Sequence, residues 1–254
     1  MNHLYKLPTP TIFGHRGACA HAPENTLAAF RLAFEQGADA IELDAKLSAD
    51  GEVMVIHDPK VDRTTNGKGW VNSMPCAELR ELDAGSFFSE KYRGEKIPML
   101  REVLEEFGKS HYINIELTNY TSPYDSLVEK TAELVNEMDL GERILFSSFS
   151  ANNLTKAKKL VPNAETGMLA LRGLAGFYAR NLAGRRVAPH AVHPYLSDAT
   201  PQSIRTAHDQ KRKVHVWTVN HAQDIQNLFN WGVDGLFTDN PALALELRNQ
   251  LALH

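Results

Sequence analysis

Short apolar runs alternate with amphipathic stretches along the whole chain. Eight of the runs have the length and content of buried strands: Thr11–His15, Asp39–Asp44, Tyr112–Leu117, Ile144–Ser147, Thr166–Leu169, His190–His193, Val214–Val219 and Gly235–Thr238. Helical patterns fill the intervals, at Glu24–Gln36, Pro98–Gly108, Pro123–Met138, Ala151–Leu160, Leu174–Leu182, Pro201–Lys211, Ala222–Trp231 and Ala242–Leu251. In the first of these, Leu27, Phe30, Leu32 and Phe34 are among the apolar positions and Gly37 supplies the stop. A helix between two strands returns the chain to the starting edge, so successive strands run parallel. Eight such units in 254 residues predict an α/β fold, a TIM (β/α)8 barrel.

One run breaks the count. Glu52–His57 looks like a strand, yet only residues 45–51 separate it from the run that ends at Asp44. A parallel crossover needs about a dozen residues or more, so these two runs make a hairpin. Ser48-Ala49-Asp50-Gly51 has the chemistry of its turn. The hairpin brings His57 back to the barrel mouth. Residues 58–96 then form an insertion above the barrel, with a short helix near Pro75–Leu82. No linker rich in Gly, Ser or Pro divides the chain, so residues 1–254 read as one domain.

Composition narrows the class. A formal charge of −4 and no long Lys/Arg run give no electrostatic signature of nucleic-acid binding. The N-terminus lacks a basic segment followed by an apolar one, and no apolar run approaches the roughly 20 residues of a membrane span. A cytoplasmic protein without stable membrane insertion is expected, as a monomer or homodimer. Cys19 and Cys76 form no CxxC pair and read as reduced thiols.

Acids on two strands carry the first chemical signal. In Ile41-Glu42-Leu43-Asp44, alternation puts Glu42 and Asp44 on one face. In Tyr112-Ile113-Asn114-Ile115-Glu116-Leu117, Asn114 and Glu116 share a face in the same way. Barrel strands are covered on both faces, so such acids need partners. They are either buried acids satisfied by Arg or Lys, or ligands of a cation at the C-terminal end of the barrel. Three carboxylates suit a hard cation, Mg²⁺ or Ca²⁺, with Mn²⁺ admissible; zinc would favour more His or Cys.

Histidines stand beside these acids. His15 ends the first strand and His57 ends the hairpin arm, so both reach the predicted mouth. Imidazoles titrate near neutrality, and one can accept a proton while the other donates. Arg16 offers a guanidinium fork to phosphate oxygens, and Gly17 lets the backbone approach a ligand. In Pro23-Glu24-Asn25-Thr26, Thr26 reads as a plain helix start, while Glu24 reaches either the ligand network or only the helix end.

Together these residues resemble a known family. His15-Arg16-Gly17, Pro23-Glu24-Asn25-Thr26, Glu42-Leu43-Asp44, His57-Asp58 and Asn114-Ile115-Glu116 look like the signature blocks of the glycerophosphodiester phosphodiesterases of the bacterial cytoplasmic type. Ser148-Phe149, His193-Pro194, Trp217-Thr218-Val219-Asn220 and the stretch from Gly232 to Pro241 continue the series in order. The resemblance implies a TIM barrel with an insertion after the His-Asp motif. It implies a divalent cation on Glu42, Asp44 and Glu116, His15 and His57 as acid and base, and Arg16 on phosphate. The implied reaction converts a small-molecule glycerophosphodiester to sn-glycerol 3-phosphate and an alcohol, through a cyclic phosphate.

The chain departs from the family at one place. The usual Glu-x-Lys is here Glu116-Leu117-Thr118, and Thr118 carries no charge. Lys46 shares the strand face of Glu42 and Asp44 and is the candidate substitute. Phe149 and Trp217 line the leaving-group side or belong to the core, and His193 touches substrate or caps its strand. Asp239, at the end of the last strand, reads as a structural cap. Two alternatives remain: a lysophospholipase D-like enzyme acting on lipid head groups, and a barrel that binds phosphorylated ligands without turnover.

Overall fold

The computed structural model describes residues 6–179, 187 and 189–251. Eight parallel strands close into a barrel: β1 (Thr11–His15), β2 (Ala40–Leu47), β4 (Tyr112–Leu117), β5 (Ile144–Ser148), β6 (Glu165–Ala170), β7 (Ala191–Pro194), β8 (Lys213–Val216) and β9 (Gly235–Thr238). β1 pairs with both β2 and β9, which closes the ring. The helices are α1 (Leu27–Glu35), α2 (Cys76–Glu81), α3 (Leu100–Phe107), α4 (Leu127–Glu137), α5 (Ala151–Leu160), α6 (Leu174–Tyr178), α7 (Pro201–Asp209), α8 (Ala222–Asn230) and α9 (Pro241–Leu251). The expected helix over 174–182 is seen as α6, and its last four positions are not all among the described residues.

The alternation within strands sorts the side chains. Ile41 and Leu43 of β2, with Ile113 and Ile115 of β4, point outwards into a core with Phe30, Leu104 and Val135. All are fully buried. Truncating one of them to Ala costs about 2–5 kcal/mol, the transfer term plus the cavity left behind. The inward positions are mixed: Phe13, Tyr112 and Phe237 pack inside, while Glu42, Asp44, Asn114 and Glu116 rise towards the mouth.

The hairpin is present as expected. β3 (Val53–Val55) runs antiparallel to β2, with Lys46 opposite Met54. Ser48 Oγ holds the turn by donating to Asp50 at 2.6 Å and accepting from the Glu52 amide at 2.9 Å. Gly51 sits at φ +85°, a conformation that a side chain would strain. The insertion packs against the hairpin around a small core of Met54, Ile56, Val61, Val71, Leu79 and Ile97.

The first helix starts later than its pattern predicts. Arg16 and Asn25 adopt left-handed backbone angles of 54° and 58°, so residues 16–25 form a loop. Thr26 is the N-cap, its hydroxyl accepting from the Ala29 amide at 3.2 Å. Among the described residues no helix is long and apolar enough to cross a membrane.

Candidate active site

Barrel closure sets the first pair. Gly14 of β1 lies opposite Thr238 of β9, so the residues that follow each, His15 and Asp239, are neighbours at the mouth. His15 Nδ1 is 2.7 Å from Asp239 Oδ1. Asn220 holds the same carboxylate from the other side and donates to Oδ2. Burial alone would raise the Asp239 pKa, but the hydrogen bond and charge of His15 outweigh it and hold the carboxyl down at about 2.

The hairpin delivers a second pair of the same kind. His57 Nδ1 is 2.7 Å from Asp58 Oδ1. Arg63, from the insertion, donates its Nε to Asp58 Oδ2 at 2.7 Å. The hydrogen bond from Arg63 is the main reason that Asp58 is held down at about 2. In both pairs Nδ1 is committed to a carboxylate, which leaves Nε2 of each ring for the cavity they line.

Glu42, Asp44 and Glu116 come together as the strand register requires, with Asp44 directly across from Glu116. One carboxylate oxygen from each lies within 4.8 Å of the others. Asn25 Nδ2 donates to Asp44 Oδ2 at 2.9 Å, and the Tyr120 hydroxyl donates to Glu116 Oε1 at 2.9 Å. Burial, then the charges of Asp44 and Glu116, push Glu42 well up; burial and Asp44 push Glu116 up to about 8. Asp44 Oδ1 is buried without a hydrogen-bond partner among the described residues. Mutually repelling oxygens with an orphan acceptor fit a hard divalent cation and offer no soft donor.

Arg16 ties these groups together. Its amide donates to Glu42 Oε2 at 2.9 Å and its Nη1 to Glu24 Oε1 at 2.9 Å. Its Nε lies 3.2 Å from Asp44 Oδ2. Glu24 also accepts two bonds from Arg63, at 2.6 and 2.8 Å, so it reaches the site through the two arginines.

The cavity takes in His15, Arg16, His57, Glu42 and Glu116, with Phe149, Trp217 and Leu169 as its apolar wall. Its empty space, open mouth included, is about 390 Å³. Phe149 and Trp217 meet edge to face with centroids 5.6 Å apart. Lys46 and His193 are not among the residues that line it. Lys46 Nζ crosses to β4 and donates to the Thr118 hydroxyl at 2.8 Å and its carbonyl at 3.0 Å. It faces a separate depression with Trp70 and Asp125. Sequence left His193 either at the substrate or as a strand cap; in the structure it is fully buried, its Nε2 3.3 Å from His215 Nδ1, and burial lowers its pKa to about 3.

Five contacts were not foreseen from sequence: Asp239 on His15, Arg63 on Asp58 and on Glu24, Asn25 on Asp44, and Tyr120 on Glu116. For Asp239 a signal existed, because an acid ending the last strand of a barrel must lie beside the end of the first.

The glycerophosphoryl diester phosphodiesterase family model matches residues 15–243, from His15 to beyond Asp239. The chain belongs to this family. A glycerophosphodiester phosphodiesterase of Caldanaerobacter subterraneus is 38% identical over 237 residues, covering 93% of this chain and 96% of the relative. One from Bacillus altitudinis is 36% identical over 244 residues, 94% and 98% of the two chains. A solved Oleispira antarctica phosphodiesterase in complex with the product sn-glycerol-3-phosphate superposes with a TM-score of 0.86 at 31% identity, over 97% of this chain and 99% of that one. The chain is therefore an enzyme of the phosphoric diester hydrolase class.

Proposed function

We propose that this chain hydrolyses glycerophosphodiesters to sn-glycerol 3-phosphate and an alcohol, with His15 and His57 exchanging the protons. One observation carries the reading: two imidazoles, each with Nδ1 2.7 Å from its own carboxylate, line one cavity with Glu42 and Glu116, two of the three clustered acids. A carboxylate on Nδ1 fixes the tautomer and steadies the imidazolium that forms during proton transfer. One Nε2 takes the proton of the glycerol 2-hydroxyl as that oxygen attacks phosphorus. The other gives a proton to the departing alcohol oxygen. The product is a cyclic phosphodiester, and the two rings exchange roles when water opens it.

Glu42, Asp44 and Glu116 would hold one divalent cation, Mg²⁺ or Ca²⁺, with Mn²⁺ as an alternative. Such an ion draws negative charge from the phosphoryl oxygens. Arg16 presents its guanidinium to the same oxygens, kept charged by Asp44, Glu42 and Glu24 around it. Phe149 and Trp217 form the apolar side against which the leaving alcohol rests. Lys46 supplies, from β2, positive charge at the β4 position where the family carries lysine; Thr118 anchors it there.

Coupled assays for glycerol 3-phosphate and for the released head-group alcohol test the reading, with several glycerophosphodiesters and a lysophospholipid, each with Mg²⁺, Ca²⁺, Mn²⁺ or chelator. Release from glycerophosphodiesters that stops with chelator is expected. Release from the lysophospholipid alone would move the reading to a lipid head-group enzyme, and none from any substrate would remove it.

A further inference from the structure

The loop after β1 carries a thiol that this reaction does not use. Cys19 is partly buried, and its sulfur, a ring nitrogen of His15 and a carboxylate oxygen of Asp239 all lie within 4.8 Å of one another. The backbone fixes the arrangement: the Ala20 amide donates to the Asp239 carbonyl at 3.0 Å, and the Ala18 amide to the Ala29 carbonyl at 3.0 Å. This donor set differs in kind from Glu42, Asp44 and Glu116. Sulfur and imidazole select borderline-soft ions such as Zn²⁺, whereas carboxylates alone suit Mg²⁺ and Ca²⁺.

We propose that His15, Cys19 and Asp239 form a second metal site, for a thiophilic divalent cation such as Zn²⁺, and that its occupation inhibits the enzyme. The inhibition rests on the reading of His15 as a proton-transfer group; the site itself does not. The ion bonds to His15 Nδ1, the Cys19 thiolate and an Asp239 oxygen, and a water completes the tetrahedron. The thiol proton leaves to solvent. The Nδ1 proton of His15 passes to Nε2, so the ring stays neutral. His15 then shows the cavity a fixed N–H in place of a nitrogen that can take and return a proton, and it loses Asp239 as its partner. The other thiol, Cys76, lies in the core of the insertion and belongs to neither cluster of metal-ligating groups found among the described residues.

Cadmium titration of the full-length protein, with Mg²⁺ in excess, reads the site directly through the ultraviolet absorption of a thiolate–metal bond. One equivalent of that absorption is expected in the wild type and in Cys76→Ala, and none in Cys19→Ala or in the closer-sized Cys19→Ser. Circular dichroism shows whether both Cys19 variants fold. In parallel, Zn²⁺ should inhibit glycerophosphodiester hydrolysis at saturating Mg²⁺. Cys19→Ala should raise the half-inhibitory concentration by at least about tenfold, with uninhibited turnover unchanged. Absorption that persists without Cys19, or is missing from the wild type, overturns the site. Equal inhibition of wild type and Cys19→Ala overturns its inhibitory role. Absence of hydrolysis from every diester would fell the proposed function, while the cadmium titration would still decide the metal site.

Discussion

His15 Nδ1 and Asp239 Oδ1 lie 2.7 Å apart although 224 positions separate them in the chain. The closing pair of barrel strands makes that contact, and it fixes which nitrogen of His15 faces the cavity. Asp239→Asn removes the charge and allows the wrong tautomer while keeping the shape. We expect kcat to fall about 10²–10⁴-fold, within the range of a lost acid–base group, with KM little changed. The double variant His15→Ala/Asp239→Asn should be no slower than His15→Ala, because the two act as a unit. Steady-state kinetics of the three variants checks this; additive losses would separate Asp239 from His15.

Arg63 joins the insertion to both halves of the site. It bonds Asp58 behind His57 and Glu24 behind Arg16. Arg63→Met should lower kcat and raise KM together, since one change loosens a proton-transfer group and a phosphate contact. Arg63 is about half exposed, so its ion pairs contribute little to stability and the melting temperature should hardly move. A large loss of melting temperature with normal kinetics would make Arg63 a structural clamp only.

The acid cluster predicts an unusual pH dependence for the metal-free protein. Burial and Asp44 raise the Glu116 pKa to about 8 from an ordinary value near 4.5. The folded state therefore holds a proton that the unfolded chain has released above about pH 4.5. By linkage, its stabilising contribution is complete below that pH and is lost as pH rises towards 8. Melting temperatures of chelator-treated protein should fall across this window. Mg²⁺ or Ca²⁺ should restore them, by about 2.7 kcal/mol when the ion is at a hundred times its Kd. Glu116→Gln should flatten the fall and abolish the response to metal. A flat profile in chelator-treated wild type would contradict the crowded-acid account.

In the proposed reading, Lys46 replaces the lysine that the family resemblance leads one to expect at position 118. If it does, Lys46→Met raises KM roughly tenfold with a smaller effect on kcat, because a uniform binding contact is lost. Unchanged KM in Lys46→Met would remove Lys46 from substrate binding and leave its bonds to Thr118 as a strand-to-strand tie.

Much of this arrangement is legible in the chain. Eight apolar runs gave the barrel strands, and the short gap after Asp44 forced the β2–β3 hairpin that carries His57. Strand alternation put Glu42, Asp44 and Glu116 together, because parallel register keeps the parity of both strands. Parity does not give depth. His193 points inward as alternation allows, yet it lies below the cavity beside His215, where burial keeps it neutral. Asp239 was legible only through ring closure, and Arg63 lies in an insertion with no periodic pattern to place it. The start of α1 was misplaced because Pro23-Glu24-Asn25 resembles a helix start, whereas Asn25 at φ +58° cannot be helical.

The central claim is that His15 and His57 divide the roles of base and acid in the first step. Its most direct measurement is the rate of alcohol release by His15→Ala and His57→Ala from two glycerophosphodiesters, one with a choline leaving group and one with nitrophenol. Nitrophenolate departs without a proton, so the variant that lacks the acid should recover towards wild-type release with it, while the variant that lacks the base stays slow. With choline, both should be slower by about 10²–10⁴-fold. Equal rates for the two variants on both substrates, or near-normal release of choline by either, would contradict the account.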